Sequence, residues 1–239
     1  MVSRRHVLRM LGMTTGAALA GSMPRDAGAA AIKETGLGHE GLLAGEPGFQ
    51  RRTVMPLPHE ALPDFLSAAQ LASHYGEYTR AVERLNRVEQ ALARGDTERS
   101  RYADLRHEQV AAANGVLLHE FYFRNLAPAK VAPSRYIEGH VHEHMGSLAE
   151  WAADFTTCAL AAKSWAALIY DPYDDRWHNT IIDGEQDGIW IGGNPLVVCD
   201  VAEHAYAHDF RGRDEYVRAF LDHLDWDEVA KRYRRVDRM

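Results

Sequence analysis

The sequence predicts an α+β chain in which an antiparallel two-helix hairpin precedes a mixed half carrying a small sheet. Three observations predict it. Two long segments of the first half keep apolar residues three or four apart, the period of one helical face. The period then changes to short apolar runs on either side of "DPYDD", with another at "PLVVCD", which reads as a β-hairpin and a third strand. Helical spacing returns in "DEYVRAFLDHL" and "WDEVAKRY" at the end of the chain.

Taken in order, residues 1–29 read as a twin-arginine export signal. Arg4 and Arg5 precede a weakly apolar, Gly/Ala-rich stretch, and Ala27 and Ala29 supply small residues for cleavage. The stretch is too short and Gly-rich to span a bilayer well, so no stable membrane anchor is expected after cleavage. An exported location, periplasmic or extracellular, follows. Residues 30–51 are Gly-rich and aperiodic, the pattern of a flexible lead-in.

A helical hairpin is expected over 52–127. Its first stripe is Leu71, His74, Tyr78, Val82, Leu85, Val88 and Leu92, ended by Gly95 and Asp96. Its second is Leu105, Ala112, Val116, His119 and Phe123. A short polar turn between two helices packs them antiparallel. The proline-bearing stretch "NLAPAKVAPSRY" is a linker to a second unit over 133–239, where helical patterns resume at "SRYIEGHVHEHM" and "SLAEWAADFTTCALAAKSW" before the strands.

Composition narrows the class. With 239 residues, 46 % hydrophobic and 26 % charged, the chain is long enough for a real core and soluble in balance. A formal net charge of −7 and the absence of any basic stripe exclude nucleic acid as an expected partner. Cys158 and Cys199 each sit in an apolar segment and are read as buried free thiols rather than a disulfide.

Each helical stripe contains one histidine where the period places core. One buried imidazole is commonly satisfied by a backbone carbonyl; two on facing stripes need two partners, and a metal ion between His74 and His119 would serve both. "CDVAEHAYAHDF" adds Asp200 at the end of a strand and His204 just after it. On a helix, positions i and i+4 share a face. Three imidazoles and one carboxylate suit iron, manganese or zinc rather than copper(I), and the anionic ligand makes a 2+/3+ couple accessible.

These residues resemble the manganese/iron superoxide dismutases. The similarity runs from "MPLP" (55–58) to "WDEVAKRY" (226–233) and is strongest at "DVAEHAY", with "HYG" at 74–76 and "LLHEFYF" around His119. The resemblance implies a helical hairpin followed by an α/β domain with a three-stranded antiparallel sheet, and one manganese or iron ion between them. It implies His74, His119, Asp200 and His204 as ligands, and conversion of superoxide to dioxygen and hydrogen peroxide. It also implies that Gln186 hydrogen-bonds a metal-bound solvent; with Gly115 before the second ligand, this favours manganese. Glu203 would cross a homodimer interface to the partner's ligand histidine. Tyr206 falls on the tyrosine of the same motif, and Arg213 on an arginine at the substrate funnel.

The chain departs from the family pattern in the shell around the metal. Tyr78 takes the place of a histidine, Val82 or Ala81 that of the gateway tyrosine, and Ala202, Phe123 and Ala167 those of tryptophans, leaving Trp165 as the matching indole. Tyr78, Tyr122 and Tyr206 are the candidates to rebuild the gate. A looser, wetter cavity predicts dismutation below that of members with the full aromatic wall; the alternatives are a metal-binding protein of this fold without activity, or another reaction on a larger substrate. Separately, "HVHEH" sets His140, His142 and His144 together, with His140 and His144 on one helix face. That run reads either as a solvated face or as a peripheral zinc or copper site.

Overall fold

The computed structural model describes residues 42–44, 50–94, 98–188 and 190–237. The export segment, most of the lead-in, and Gly95 and Asp96 lie outside the described residues. The lead-in, expected to be aperiodic, contains two short strands, β1 (Leu42–Ala44) and β2 (Gln50–Arg52), paired antiparallel. Arg52 ties β2 to the helices: its backbone N–H and C=O both bond the Asn86 side chain, and its guanidinium reaches Glu120 at 2.7 Å.

The hairpin consists of α1 (Ala68–Arg94) and α2 (Arg99–Arg124), packed along one another. Residues 62–66 stay outside α1 because Pro63 precedes Asp64, whose backbone is left-handed at φ 62°. Ser67 then caps the helix, accepting from the Gln70 N–H at 3.1 Å. Most of the expected stripe is the buried face, Leu71, His74, Tyr78, Val82, Leu85 and Val88 on α1 and Ala112, Val116, His119 and Phe123 on α2, whereas Leu92 and Leu105 are only half-buried.

The second half holds α3 (Arg135–Met145) and α4 (Leu148–Ala161), capped by the Ser134 and Ser147 side chains. Strands β3 (Trp165–Asp171), β4 (Arg176–Ile182) and β5 (Asn194–Asp200) form an antiparallel sheet of order β4-β3-β5. The central strand β3 is buried along its whole length, as a strand covered on both faces must be. Its register places Trp165 opposite Asp200. Helices α5 (Arg213–Asp222) and α6 (Trp226–Val236) close the chain. Cys158 and Cys199 are free thiols; Cys199 is buried as expected, whereas Cys158 is only half-buried on α4.

As an edge strand, β5 would expose unpaired backbone groups on its outer side. Two polar side chains fill that edge. Asn125, after α2, accepts from the Val198 N–H at 2.9 Å and faces the Leu196 carbonyl. Arg232 of α6, 3 % exposed, donates to the Leu196 carbonyl, to Asn125 Oδ1 and to the Phe121 carbonyl, while its Nε meets Glu228. Helix α2, β5 and α6 are thereby joined at one point. Arg232→Ala should cost about 3–5 kcal/mol in urea unfolding, because it removes a guanidinium donor from the buried Leu196 carbonyl and Asn125 Oδ1 and leaves Glu228 with Lys231 alone. Arg232→Lys should recover only part, since a single ammonium nitrogen cannot reach the four acceptors that the three guanidinium nitrogens span; wild-type stability in the alanine variant would refute this role.

Candidate metal centre

Four side chains from four elements converge. His74 comes from α1, His119 from α2, Asp200 from the end of β5, and His204 from a single 3-10 turn at Glu203–Ala205. One nitrogen or oxygen from each lies within 4.8 Å of all the others. Asp200 Oδ2 is 3.0 Å from both His74 Nε2 and His204 Nε2. Asp200 and His204 do not share a helix face; the strand end and the following turn bring them together. Gln70, wholly buried on α1, fixes that turn by donating to the His204 carbonyl at 2.7 Å and accepting from the His208 N–H at 2.9 Å.

The donor set fits a cation. His119 Nδ1 lies 2.6 Å from the Gly115 carbonyl. A carbonyl only accepts, so Nδ1 carries the proton and Nε2 keeps the lone pair. That Nε2 is buried without a hydrogen-bond partner, a cost a metal ion would remove. Asp200 is fully buried, with Oδ1 accepting from the Ala202 N–H. Burial alone would raise its pKa, but hydrogen bonds from His204 and His74 override this and hold it below the usual carboxylate range. Burial, helped by His74, lowers His119 to about 4, so it is neutral at physiological pH. The hydrogen bond to Asp200 raises His204 against the effect of burial.

Around the rings, Phe123 and Tyr122 lie 5.0 and 4.7 Å from His74, and Trp165 meets His119 edge-on at 4.9 Å. A cavity of about 380 Å³ opens beside His119 and His204. Besides Trp165 its walls include Ala81, Ala202, Arg80, Arg84 and Glu185. Val82 lies in the core, whereas Ala81 lines the cavity. Ala167 is buried within β3 and is not among the cavity-lining residues.

The sequence-predicted residues around the ligands are largely displaced. Gln186 is exposed and donates to the His107 carbonyl at 3.0 Å; its neighbour Glu185 enters the cavity instead. The turn from Gly184 to Asp187 decides which of the two points inward. Gly115 makes room for it: a Cβ there would come within 2.5 Å of Glu185 Oε1, so the carboxylate would have to swing aside. Arg213 does not line the cavity, because its guanidinium donates to the Ala162 carbonyl at 2.6 Å. Arg80 and Arg84 stand there instead, on the α1 face that continues past His74. Arg80 pairs with Glu77, and Arg84 with Glu108 at 3.2 Å and Glu185 at 3.6 Å.

None of the three candidate tyrosines gates the cavity. The Tyr78 hydroxyl donates to Glu120 and accepts from the Met55 N–H, both at 2.8 Å. Tyr122 accepts from Tyr216 at 3.1 Å, and Tyr206 stacks on the Tyr216 ring. The residue that sequence reading missed is Glu185. Its one signal was Gly115, a position whose lack of side chain implies a close neighbour.

Comparison with known proteins agrees with this centre. A family profile described as iron/manganese superoxide dismutases, C-terminal domain, matches residues 133–232. A superoxide dismutase [Mn] of Haloferax volcanii is 32 % identical over 185 residues, 74 % of this chain and 93 % of that protein. A superoxide dismutase [Fe] of Aquifex aeolicus is 30 % identical over 182 residues, 72 % of this chain and 85 % of that protein.

The metal-free protein should lose stability as the pH falls from 6.5 towards 4. In that window the unfolded chain binds the His119 proton and the folded chain does not, so acid favours unfolding, by up to about 3 kcal/mol at the low end. His119→Gln should remove this part of the pH dependence in denaturant titrations at a series of pH values. An unchanged pH slope in that variant would count against a neutral buried His119.

Proposed function

The chain belongs to the iron/manganese superoxide dismutase family, and from that premise we propose that it converts superoxide to dioxygen and hydrogen peroxide at one manganese or iron ion held by His74, His119, Asp200 and His204. The observation that carries the reading is the buried Asp200 carboxylate surrounded by three imidazoles, with the His119 lone pair unmatched. A bound manganese or iron ion would supply a 2+/3+ couple able to take an electron from one superoxide and return it to another. Asp200 contributes the negative charge that favours the higher state. Gly115 fixes the His119 tautomer so that Nε2 faces the centre.

Delivery of substrate and protons falls to the cavity wall. Arg80 and Arg84 line the cavity and are the cations an entering anion would meet there, although each is ion-paired, Arg80 with Glu77 and Arg84 with Glu108 and Glu185. Of the two carboxylates that line it, Glu77 and Glu185, Glu185 is the one whose pKa is raised, by burial with a further contribution from Asp200 and a partial offset by Arg84, and it is the candidate proton carrier. The preference for manganese inferred from Gln186 and Gly115 loses its basis, because Glu185 stands where that amide was expected. Both metals therefore stay within the proposal. A homodimer extends it. The His204 side chain is 38 % exposed in the single chain, and exposed Glu203 lies beside it, where a second copy could cover the ligand.

A non-catalytic metal protein is the second reading, and the absence of Tyr78, Tyr122 and Tyr206 from the cavity lining favours it. Activity and metal content measured on one sample, reconstituted separately with manganese and iron, separate the two. Dismutation should appear with one ion per chain, lowered about a hundredfold by the missing tyrosine gate relative to members that have it. Fully metallated protein without dismutation would support the second reading. Glu185→Gln should keep the metal, reduce the rate by about a hundredfold and flatten its pH profile; an unaltered profile would remove Glu185 from the proton path.

Export is proposed on the Arg4–Arg5 pair and the stretch behind it. A reporter fused to residues 1–35 should cross the membrane, and changing both arginines to lysine should retain it inside the cell. Export unaffected by that change would rule out the twin-arginine route.

A further inference from the structure

The histidine run on α3 resolves into a cluster of different composition from the one its spelling implies. His142 is not part of it: its Nδ1 bonds the Gly146 carbonyl at 2.5 Å and finishes the helix. His140 and His144, one turn apart, present nearly parallel rings 5.8 Å apart. Glu143 joins them, and one ligand atom from each of the three lies within 4.8 Å of the others. Neither ring nitrogen of His144 has a hydrogen-bond partner, although both are buried from solvent. The contacts of His140 Nδ1 are long, 3.4 Å to the Tyr233 hydroxyl and 3.6 Å to Glu143 Oε2.

The surroundings hold these rings in place without satisfying them. Trp177 stacks on His144 at 5.3 Å, and Tyr233 meets His140 edge-on at 4.6 Å. The cluster occupies the last turns of α3, where the outward carbonyls favour a cation. A second surface cluster, Asp171, Asp174 and His178, behaves differently. Both Asp171 oxygens accept hydrogen bonds, from the Tyr173 N–H and the Trp190 indole, and Asp174 takes His178 at 2.8 Å. That group is satisfied by the protein itself, whereas His144 is not.

We propose that His140, Glu143 and His144 form a second metal site, separate from the dismutase centre, for one borderline divalent cation of the zinc class. Two imidazoles and a carboxylate are a recognised zinc donor set, with water completing the coordination. All three ligands lie on one helix, so the site needs no other element to move, and occupancy would fix the end of α3 against Trp177.

The test uses protein whose first site is already filled with manganese. It is equilibrated with zinc chloride and freed of unbound metal, and both metals are then counted per chain. Wild type should retain one zinc with its manganese content unchanged. The double variant His140→Ala/His144→Ala should lose that zinc. Glu143→Gln, at a side chain 66 % exposed and therefore harmless to packing, should weaken zinc binding about tenfold or more by calorimetry. Asp174→Ala/His178→Ala should bind as wild type does. Absence of the extra zinc in wild type, its retention in the double histidine variant, its loss in the Asp174/His178 variant, or stoichiometric exchange for manganese would each overturn the site. Should the double variant fail to fold, an unweakened Glu143→Gln would overturn it alone.

Discussion

A carboxylate with no exposed surface is the constraint around which this chain is arranged. Asp200 sits at the end of β5, and a buried charge of this kind must be paired and hydrogen-bonded or it will not stay ionised. Its partners come from three other places in the chain: α1, α2 and the turn after the strand. Each partner requires its element to be held at a fixed distance from the sheet. The β3–β5 register sets Asp200 opposite Trp165, whose indole then walls His119. Asn125 and Arg232 close the open edge of β5 and, in doing so, press the end of α2 onto the strand. Gln70 holds the His204 turn against α1. The hairpin and the sheet therefore meet at one polar point rather than along an apolar seam alone.

What could be read from the sequence follows from which features are periodic. His74 and His119 were legible because a 3.6-residue period assigns each to a buried stripe regardless of detail elsewhere. Asp200 and the three strands were legible because the period changes where the sheet begins. The lining of the cavity was not. Whether Glu185 or Gln186 faces inward depends on a tight turn at Gly184–Asp187, and moving the reading by one residue reverses the answer. Arg213 failed for a related reason: its carbonyl partner, Ala162, is remote in sequence and becomes available only when α4 ends. The stripe from Leu71 onward does not say where α1 starts; the left-handed Asp64 keeps the residues before Ala68 out of the helix.

The outcome is a cavity whose chemistry differs from the aromatic wall the resemblance implies. Two hydroxyls that could have faced it are committed elsewhere, Tyr78 to Glu120 and Met55 and Tyr122 to Tyr216, and the Tyr206 ring is stacked on Tyr216. In their place stand two arginines and a glutamate, linked by Arg84 to Glu185 and Glu108. Charged groups stay hydrated where aromatic rings would exclude water. The charged groups that line the cavity are thus on α1 and in the turn after β4, and Arg213 is not among them.

The histidines show why residue type alone does not make a ligand. His119 and His223 make the same contact, with Nδ1 bonded to the carbonyl four residues earlier. This fixes the ring in both and leaves Nε2 as the free donor atom. For His223 the ring lies stacked on Phe65 at 4.8 Å, and among the described residues it belongs to no group of potential metal ligands. For His119 the same lock aims the lone pair at a buried anion and two further imidazoles. The intrahelical bond is thus a local property that many helical histidines share. Becoming part of a metal centre requires a second condition, set by the tertiary fold: the remaining nitrogen must be buried where nothing in the protein can satisfy it. His119 meets both conditions, and by the second, unmatched buried nitrogens, His144 is the surface histidine that stands nearest to it.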